Sequence, residues 1–476
     1  MADTFEINRN FVNSIKQDGF IEGLAAKESN LLFVIKISGI TALGGLLFGY
    51  DTAVIAGAIG FLEKKFHLSP MMVGWVASSA IWGCILGVLI AAPVSSYYGR
   101  KKALIATALI FALSGIASAL PNDLTSFIIA RLLGGIAIGA VSVLAPMFIA
   151  ETAPPRVRGR MVTLYQLAIV IGINLIYYVN MKIAASGDES WNVEMGWRLM
   201  LGSETLPALL FMALLFFVPE SPRWLITRNR HADALAVLEK INGTHRAKLE
   251  LKAIRNSISE KTSSYRELLT RHFRIPLVVG FMLALFSQIT GINAIIYYAP
   301  EILKATGSAT ESAFMQTFLI GIVNTVFTIV ALVFVDFYGR RKLLLYGVAI
   351  MFVCLVGITT CFSTGYTSGP WLLVFILGYI AAFAWSLGPI PWIIISEIFP
   401  NSLRALAMSL ATLILWVGVV LVTQWTPVLL KELGATWLFA IFSINTAAFF
   451  LFALFKVPET KNMSLEEIEK LWTNKV

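Results

Sequence analysis

With 476 residues, 57% of them hydrophobic and only 14% charged, and a mean hydropathy of +0.77, the chain carries far more apolar side-chain surface than a soluble globule buries. A water-soluble enzyme or binding module is excluded on that ground, and lipid is the expected surrounding. The formal charge of +9 does not point to nucleic acid, because the basic residues sit in short loops beside apolar runs, where membrane topology accounts for them.

The first thirty residues mix Arg9, Lys16 and Lys27 with Asp3, Glu6, Asp18, Glu22 and Glu28 and lack a compact apolar core with a cleavage site. They read as a cytoplasmic lead rather than a signal peptide. A membrane span needs roughly 20 mostly apolar residues. Such runs occur at about 33–61, 71–97, 102–120, 125–150, 161–184 and 198–218, and again at about 273–304, 311–335, 341–362, 371–398, 404–429 and 434–456. Because the runs are continuous rather than alternating, they predict helices and not barrel strands.

Arg100, Lys101 and Lys102, then Arg156, Arg158 and Arg160, then Arg340, Arg341 and Lys342 fall in every second loop, which places those loops and both termini on the cytoplasmic side of a plasma membrane. Between the two sets of spans, Ala234, Leu235, Val237, Leu238 and Ile241 recur at helical spacing, so short amphipathic cytoplasmic helices are expected there, and similar ones near Ser464 to Trp472. Cys84, Cys354 and Cys361 lie within apolar stretches, which implies neither a disulfide framework nor a metal site.

The chain repeats itself. Gly99-Arg100-Lys101-Lys102 returns as Gly339-Arg340-Arg341-Lys342, Pro219-Glu220-Ser221 as Pro458-Glu459-Thr460, and Glu151 with Arg158 as Glu397 with Arg404, all at an offset of about 240 residues. The fold expected is therefore all-α: twelve transmembrane helices in two pseudo-symmetric six-helix bundles, enclosing a ligand site between them at mid-membrane. Segments of 1–30 (cytoplasmic lead), 31–218 (first bundle), 219–272 (helical linker), 273–456 (second bundle) and 457–476 (tail) follow.

Gly44-Gly45-Leu46-Leu47-Phe48-Gly49-Tyr50-Asp51, the two Gly-Arg boxes, Pro219-Glu220-Ser221-Pro222-Arg223-Trp224-Leu225, Gly388-Pro389-Ile390-Pro391-Trp392 and Pro458-Glu459-Thr460-Lys461 together resemble the sugar porters of the major facilitator superfamily, with the bacterial xylose–proton symporters nearest. The likeness covers nearly all of the chain after residue 33. It departs at Ser96, where an acid is common, at Asn462, where glycine is usual, and at Ser287 and Leu415, where the xylose symporters carry sugar-binding glutamines.

Charges inside apolar spans are costly and mark function. Asp51 in the first span and Arg131 in the fourth can pair, attracting by roughly 4 kcal/mol about 4 Å apart at an effective dielectric of 20. Protonation of Asp51 would release Arg131 and free the two helices, a proton switch that the resemblance also implies; a packing ion pair is the other reading. Glu204 in the sixth span is a second buried carboxylate, a proton site or helper.

Sugar hydroxyls need paired donors and acceptors beside a flat apolar surface. Gln166, Asn174, Gln288, Asn293 and Asn324 offer carboxamides, and Phe48, Tyr297, Trp392 and Trp416 offer rings. The resemblance implies sugar contact for Gln166, Gln288, Asn293, Asn324 and Trp392, while interhelical hydrogen bonding would also account for each amide. Ser287 and Leu415 remove hydrogen-bonding reach, which leaves pentose, hexose and inositol all open. A cytoplasmic gate is expected from Arg100, Glu151, Arg158, Glu220, Asp336, Arg340, Glu397 and Arg404, with acid–base pairs joining helix ends of opposite halves while the outer side is open. Positive-inside topology explains the bases but not the repeated acids.

The expected function is proton-coupled import of a monosaccharide or polyol by alternating access, in a protein that works as a monomer in the bilayer and needs no cofactor. A passive facilitator of the same fold is the alternative, and a sugar sensor a more remote one. No nucleophile–histidine–acid grouping or phosphate loop suggests an enzyme.

Overall fold

The computed structural model describes residues 30–258, 274–367, 369–399 and 401–461, with backbone alone at 155, 156, 257, 258, 335–337, 396 and 401–406. Twelve helices among the described residues are long and apolar enough to cross a bilayer. The first six spans are α1 (Leu31–Phe66), α2 (Pro70–Tyr98), α3 (Arg100–Ala119), α4 (Leu124–Thr152), α5 (Pro155–Ala184) and α6 (Glu189–Leu215). Among the described residues three short helices follow: α7 (Pro222–Thr227), α8 (His231–Asn242) and α9 (Thr244–Ile258). The second set is α10 (Arg274–Ile289) with α11 (Ile292–Lys304), α12 (Thr310–Tyr338), α13 (Arg340–Thr364), α14 (Pro370–Trp385) with α15 (Ile390–Glu397), α16 (Asn401–Glu432) and α17 (Gly434–Lys456).

Most helices run a few residues beyond the apolar runs that predict them, because a helix continues into its polar end turns where hydropathy has already fallen. The fifth span is one example: it begins at Pro155, and its first turns carry Arg158 and Arg160. Local chemistry sets the starts. Ser69 caps α2 ahead of Pro70, and the Asp123 carboxylate accepts from the Ser126 amide at 2.9 Å to open α4.

Among the described residues three spans are interrupted: the apolar pattern runs unbroken through the sixth and seventh, whereas Pro389 and Pro391 mark the break in the tenth. The sixth contains a π-helical stretch, Asn192–Gly196, and a bend at Ser203 and Glu204. In the seventh, Thr290 and Gly291 break the helix, Gly291 at a φ of +98° that favours glycine. Ser386 to Pro389 separate α14 from α15 in the tenth. The carbonyls freed at the seventh-span break do not go unpaired: Ile289 accepts from Asn445 Nδ2 at 3.1 Å and Thr290 from the Tyr379 hydroxyl at 3.0 Å.

Helix pairing reproduces the sequence repeat. In the first half α1 packs on α5, α2 on α4 and α3 on α6; in the second, α10 packs on α16, α12 on α14 and α13 on α17. Small residues let the α2 and α4 backbones touch, for a methyl added at Gly135 or Gly139 would run into the Ala80 or Cys84 carbonyl. Between halves, α1 meets α11, α2 meets α16 and α5 meets α12. The short helices pack beneath the first half as the apolar spacing predicts, with Ala234, Leu238 and Ile241 buried and the Trp224 indole donating to the Ser96 carbonyl at 2.9 Å. Those expected at Ser464 to Trp472, and the first 29 residues, lie outside the described residues.

Candidate functional site: a buried ion trio beside an inter-half cavity

Midway along α1, Asp51 is 1% exposed, and Arg131 of α4 is equally buried. α1 reaches this depth because it lies backbone to backbone on α5; a side chain at Gly49 would strike the Ile169 carbonyl. The Arg131 guanidinium grips the Asp51 carboxylate with both terminal nitrogens, Nη1 on Oδ1 and Nη2 on Oδ2, the latter at 3.2 Å. Glu204, at the bend in the sixth span, places Oε2 3.9 Å from Arg131 Nη1 beside the Asp51 carboxyl, and no donor among the described residues hydrogen-bonds either of its oxygens. Two acids therefore share one base in a water-poor setting, which leaves one carboxyl without a counter-ion. The adjacent Tyr50 and Ser203 hydroxyls bond to each other at 2.8 Å and tie α1 to the same bend.

A small cavity opens beside this trio. Asp51, Cys84 and Arg131 line it from the first half, and Tyr297 of α11 and Trp416 of α16 from the second. Phe48, one turn before Asp51, meets the Trp416 ring at 5.6 Å between centroids. At the seventh-span break, Asn293 Nδ2 donates to Gln288 Oε1 at 2.6 Å and Gln288 Nε2 to Ser287 Oγ at 3.0 Å. The α5–α12 crossing carries Gln166, Asn174 and Asn324: Asn174 abuts Gly321 one turn from Asn324, and the Thr325 hydroxyl reaches the Val170 carbonyl one turn from Gln166. Trp392 is half-buried on α15, which packs against α10, and no hydrogen bond or ring contact joins it to the other candidates among the described residues.

The ends of the molecule differ. At the end bearing both Gly-Arg boxes, Arg100 binds Glu151 through Nε at 3.1 Å and Nη2 at 3.0 Å, and Arg340 binds Glu397 at 3.3 Å. Each pair lies within its own half; the pairing across the halves is expected while the outer side is open and is not a feature of this conformation. The residue types at the helix ends are legible in a sequence, but the partner each chooses depends on how the halves are tilted. Glu220 serves as a cap, accepting from the Arg100 and Lys101 amides at 2.9 and 3.1 Å at the positive end of α3. Arg158 faces the linker, where burial, partly offset by Arg158 and Arg246 nearby, pushes the Glu250 carboxyl above its usual range. The side chains of Asp336 and Arg404 lie outside the described residues.

The opposite end is stitched shut across the halves by residues that the sequence did not single out. Ser78 donates to Gln424 at 2.5 Å, the Tyr177 hydroxyl donates to the Ile296 carbonyl at 2.7 Å, Gly60 lies against the Glu301 carboxylate, and Phe61 stacks on Phe314 beneath the Lys304 ammonium. Only Glu301 and Lys304, charges near a span end, gave a sequence signal that could have found this contact.

Residues 37–472 match the family model described as "Sugar (and other) transporter". The chain belongs to that family. It is 46% identical over 441 residues to the arabinose-proton symporter of Bacillus subtilis (92% of this chain, 95% of that one) and 39% identical over 481 residues to the D-xylose-proton symporter of Escherichia coli (93% and 96%). Among solved structures, this transporter superposes on an inward-open conformation of the E. coli xylose transporter XylE with a TM-score of 0.82 at 37% identity, covering 92% of this chain and 100% of that one. A XylE structure bound to 6-bromo-6-deoxy-D-glucose gives a TM-score of 0.79 at 37% identity, covering 93% and 100%.

Proposed function

We infer that this transporter imports a monosaccharide together with protons by alternating access, and we propose that the sugar is an aldopentose. The observation that carries the coupling is that the ion-paired Asp51 borders the same cavity as Tyr297 and Trp416 of the other half. A proton on Asp51 cancels its attraction to Arg131, so α1 and α4 can shift against the wall that faces the substrate. The sugar is held by Gln166, Asn174, Gln288, Asn293 and Asn324, with Phe48, Tyr297, Trp392 and Trp416 against its C–H faces. Arabinose and xylose as the substrates of two relatives of high coverage favour a pentose.

The Gly-Arg end faces the cytoplasm, with both termini and the linker of 219–272 on that side, as its basic loops require. With the opposite end stitched shut, the conformation described is inward-facing. In the outward-facing state Arg100, Glu151, Arg158, Glu220, Asp336, Arg340, Glu397 and Arg404 form the inner gate. One coupled proton at 100 mV supplies roughly 2.3 kcal/mol, enough for about a fiftyfold sugar gradient.

The test is uptake of labelled L-arabinose and D-xylose into proteoliposomes with and without an imposed proton gradient. Accumulation above the external concentration only with the gradient supports symport. Equilibration regardless of the gradient would make the protein a passive facilitator.

A further inference from the structure

Ser287 looks, from sequence, like a gap in the sugar site, because a serine reaches less far than an amide. The structure gives it a different task. Its hydroxyl lies 2.7 Å from the Ala284 carbonyl oxygen, which can only accept, so the single hydroxyl hydrogen is spent there and the oxygen turns its lone pairs outward. Gln288 meets that oxygen at 3.0 Å, and only Nε2 of its amide can donate to it. This turns Gln288 Oε1 the other way, where it accepts from Asn293 Nδ2 at 2.6 Å. The chain of bonds thus has one direction, set at its root by a backbone carbonyl that has no hydrogen to give. It also bridges the break in the seventh span, since Gln288 belongs to the last turn of α10 and Asn293 to the first turn of α11.

We propose that Ser287 is a positioning residue for substrate selection, fixing which atoms of Gln288 and Asn293 are left for the sugar. The proposal rests on the reading that these two amides hold substrate. With the chain intact, one N–H of Gln288 Nε2, one N–H of Asn293 Nδ2 and the Asn293 Oδ1 stay unspent. Two donors beside one acceptor suit two neighbouring hydroxyls of which one donates and both accept. Ser287 has no hydrogen left to offer, and Leu415, before Trp416, has none at all, so this wall discriminates by the orientation of its amides rather than by their number. Without the serine hydroxyl the Gln288 amide can turn over, and the Asn293 amide with it. The wall then presents a mixture of donor patterns instead of one.

Proteoliposome transport kinetics with Ser287→Ala, Ser287→Thr and Gln288→Ala test this, using whichever of L-arabinose, D-xylose and D-glucose the unmodified protein carries fastest and its monodeoxy analogues as competitors. Gln288→Ala is expected to raise KM about tenfold. Ser287→Ala should raise KM about fivefold with kcat within about twofold, and should narrow the gap in inhibition between the parent sugar and its deoxy analogues. Ser287→Thr, which keeps the hydroxyl, should stay close to the unmodified protein in both respects. The proposal is overturned if Ser287→Ala leaves KM and the ranking of analogues unchanged while Gln288→Ala raises KM. Equal impairment by Ser287→Thr and Ser287→Ala also overturns it, because the hydroxyl is then not what matters. An unchanged KM in Gln288→Ala removes Gln288 from the sugar site and takes the proposal with it, a result distinct from the other two.

Discussion

Arg131 holds Asp51 with two nitrogens and leaves Glu204 at 3.9 Å, with no donor among the described residues hydrogen-bonded to its oxygens. The two acids around one guanidinium are thus not equivalent: Asp51 has a committed partner to lose on protonation, while Glu204 keeps the site short of positive charge and so helps Asp51 to take up a proton. Coupling should follow the committed partner.

Asp51→Asn keeps the shape of the side chain and removes its charge. Sugar counterflow between equal concentrations should persist within about threefold, while gradient-driven accumulation, about fiftyfold at most for one proton at 100 mV, should fall to simple equilibration. Unchanged accumulation in this variant would end the role assigned to Asp51.

Glu204→Met replaces two oxygens that lack hydrogen-bond partners at a position with 0% exposure. Removing an orphaned buried carboxyl should stabilise the detergent-purified protein by about 1–3 kcal/mol, read as a higher melting temperature. Accumulation under a proton gradient should fall at the same time, since stability and coupling pull in opposite directions at such a site. A lower melting temperature would show that Glu204 has a structural partner in the membrane.

A side chain at Gly60 would collide with the Glu301 carboxylate where α1 meets α11. Gly60→Val should therefore prop that end open. The check is Ser78→Cys on a background lacking the native cysteines: Ser78 is buried against Gln424, so labelling by an impermeant maleimide should be slow with glycine at 60 and about tenfold faster with valine.

Tyr379→Phe and Asn445→Leu each strip one donor from the carbonyls at the seventh-span break. Each should cost about 1–2 kcal/mol by thermal melting, and the pair should deviate from additivity because Ile289 and Thr290 are consecutive. Additive losses would mean that the break is held elsewhere.

The twelve spans and the repeat were legible because a bilayer demands some 20 apolar residues per crossing and tolerates few charges, so runs and interruptions stand out. Asp51, Arg131 and Glu204 were legible for the same reason. The break at Thr290 and Gly291 was not, since isoleucines flank it on both sides and hydropathy hardly changes across two residues. Ser78, Gln424, Tyr379 and Asn445 escaped notice because uncharged polar side chains are common in spans and become informative only once their partners are known. Partner choice also decided the Gly-Arg end, where Arg100 and Arg340 each found an acid in their own half.

Each half carries the same fastening at its Gly-Arg box. Glu220 accepts from the Arg100 amide and Glu459 from the Arg340 amide at 3.0 Å, so the tail of the sixth helix of each bundle is stapled to the head of its third. Two bundles closed in this way can tilt as solid pieces without loosening internally. The motion that carries cargo across is then confined to a narrow seam: Ser78 must let go of Gln424, Tyr177 of Ile296 and Gly60 of Glu301, while every helix keeps the neighbours it has within its own bundle.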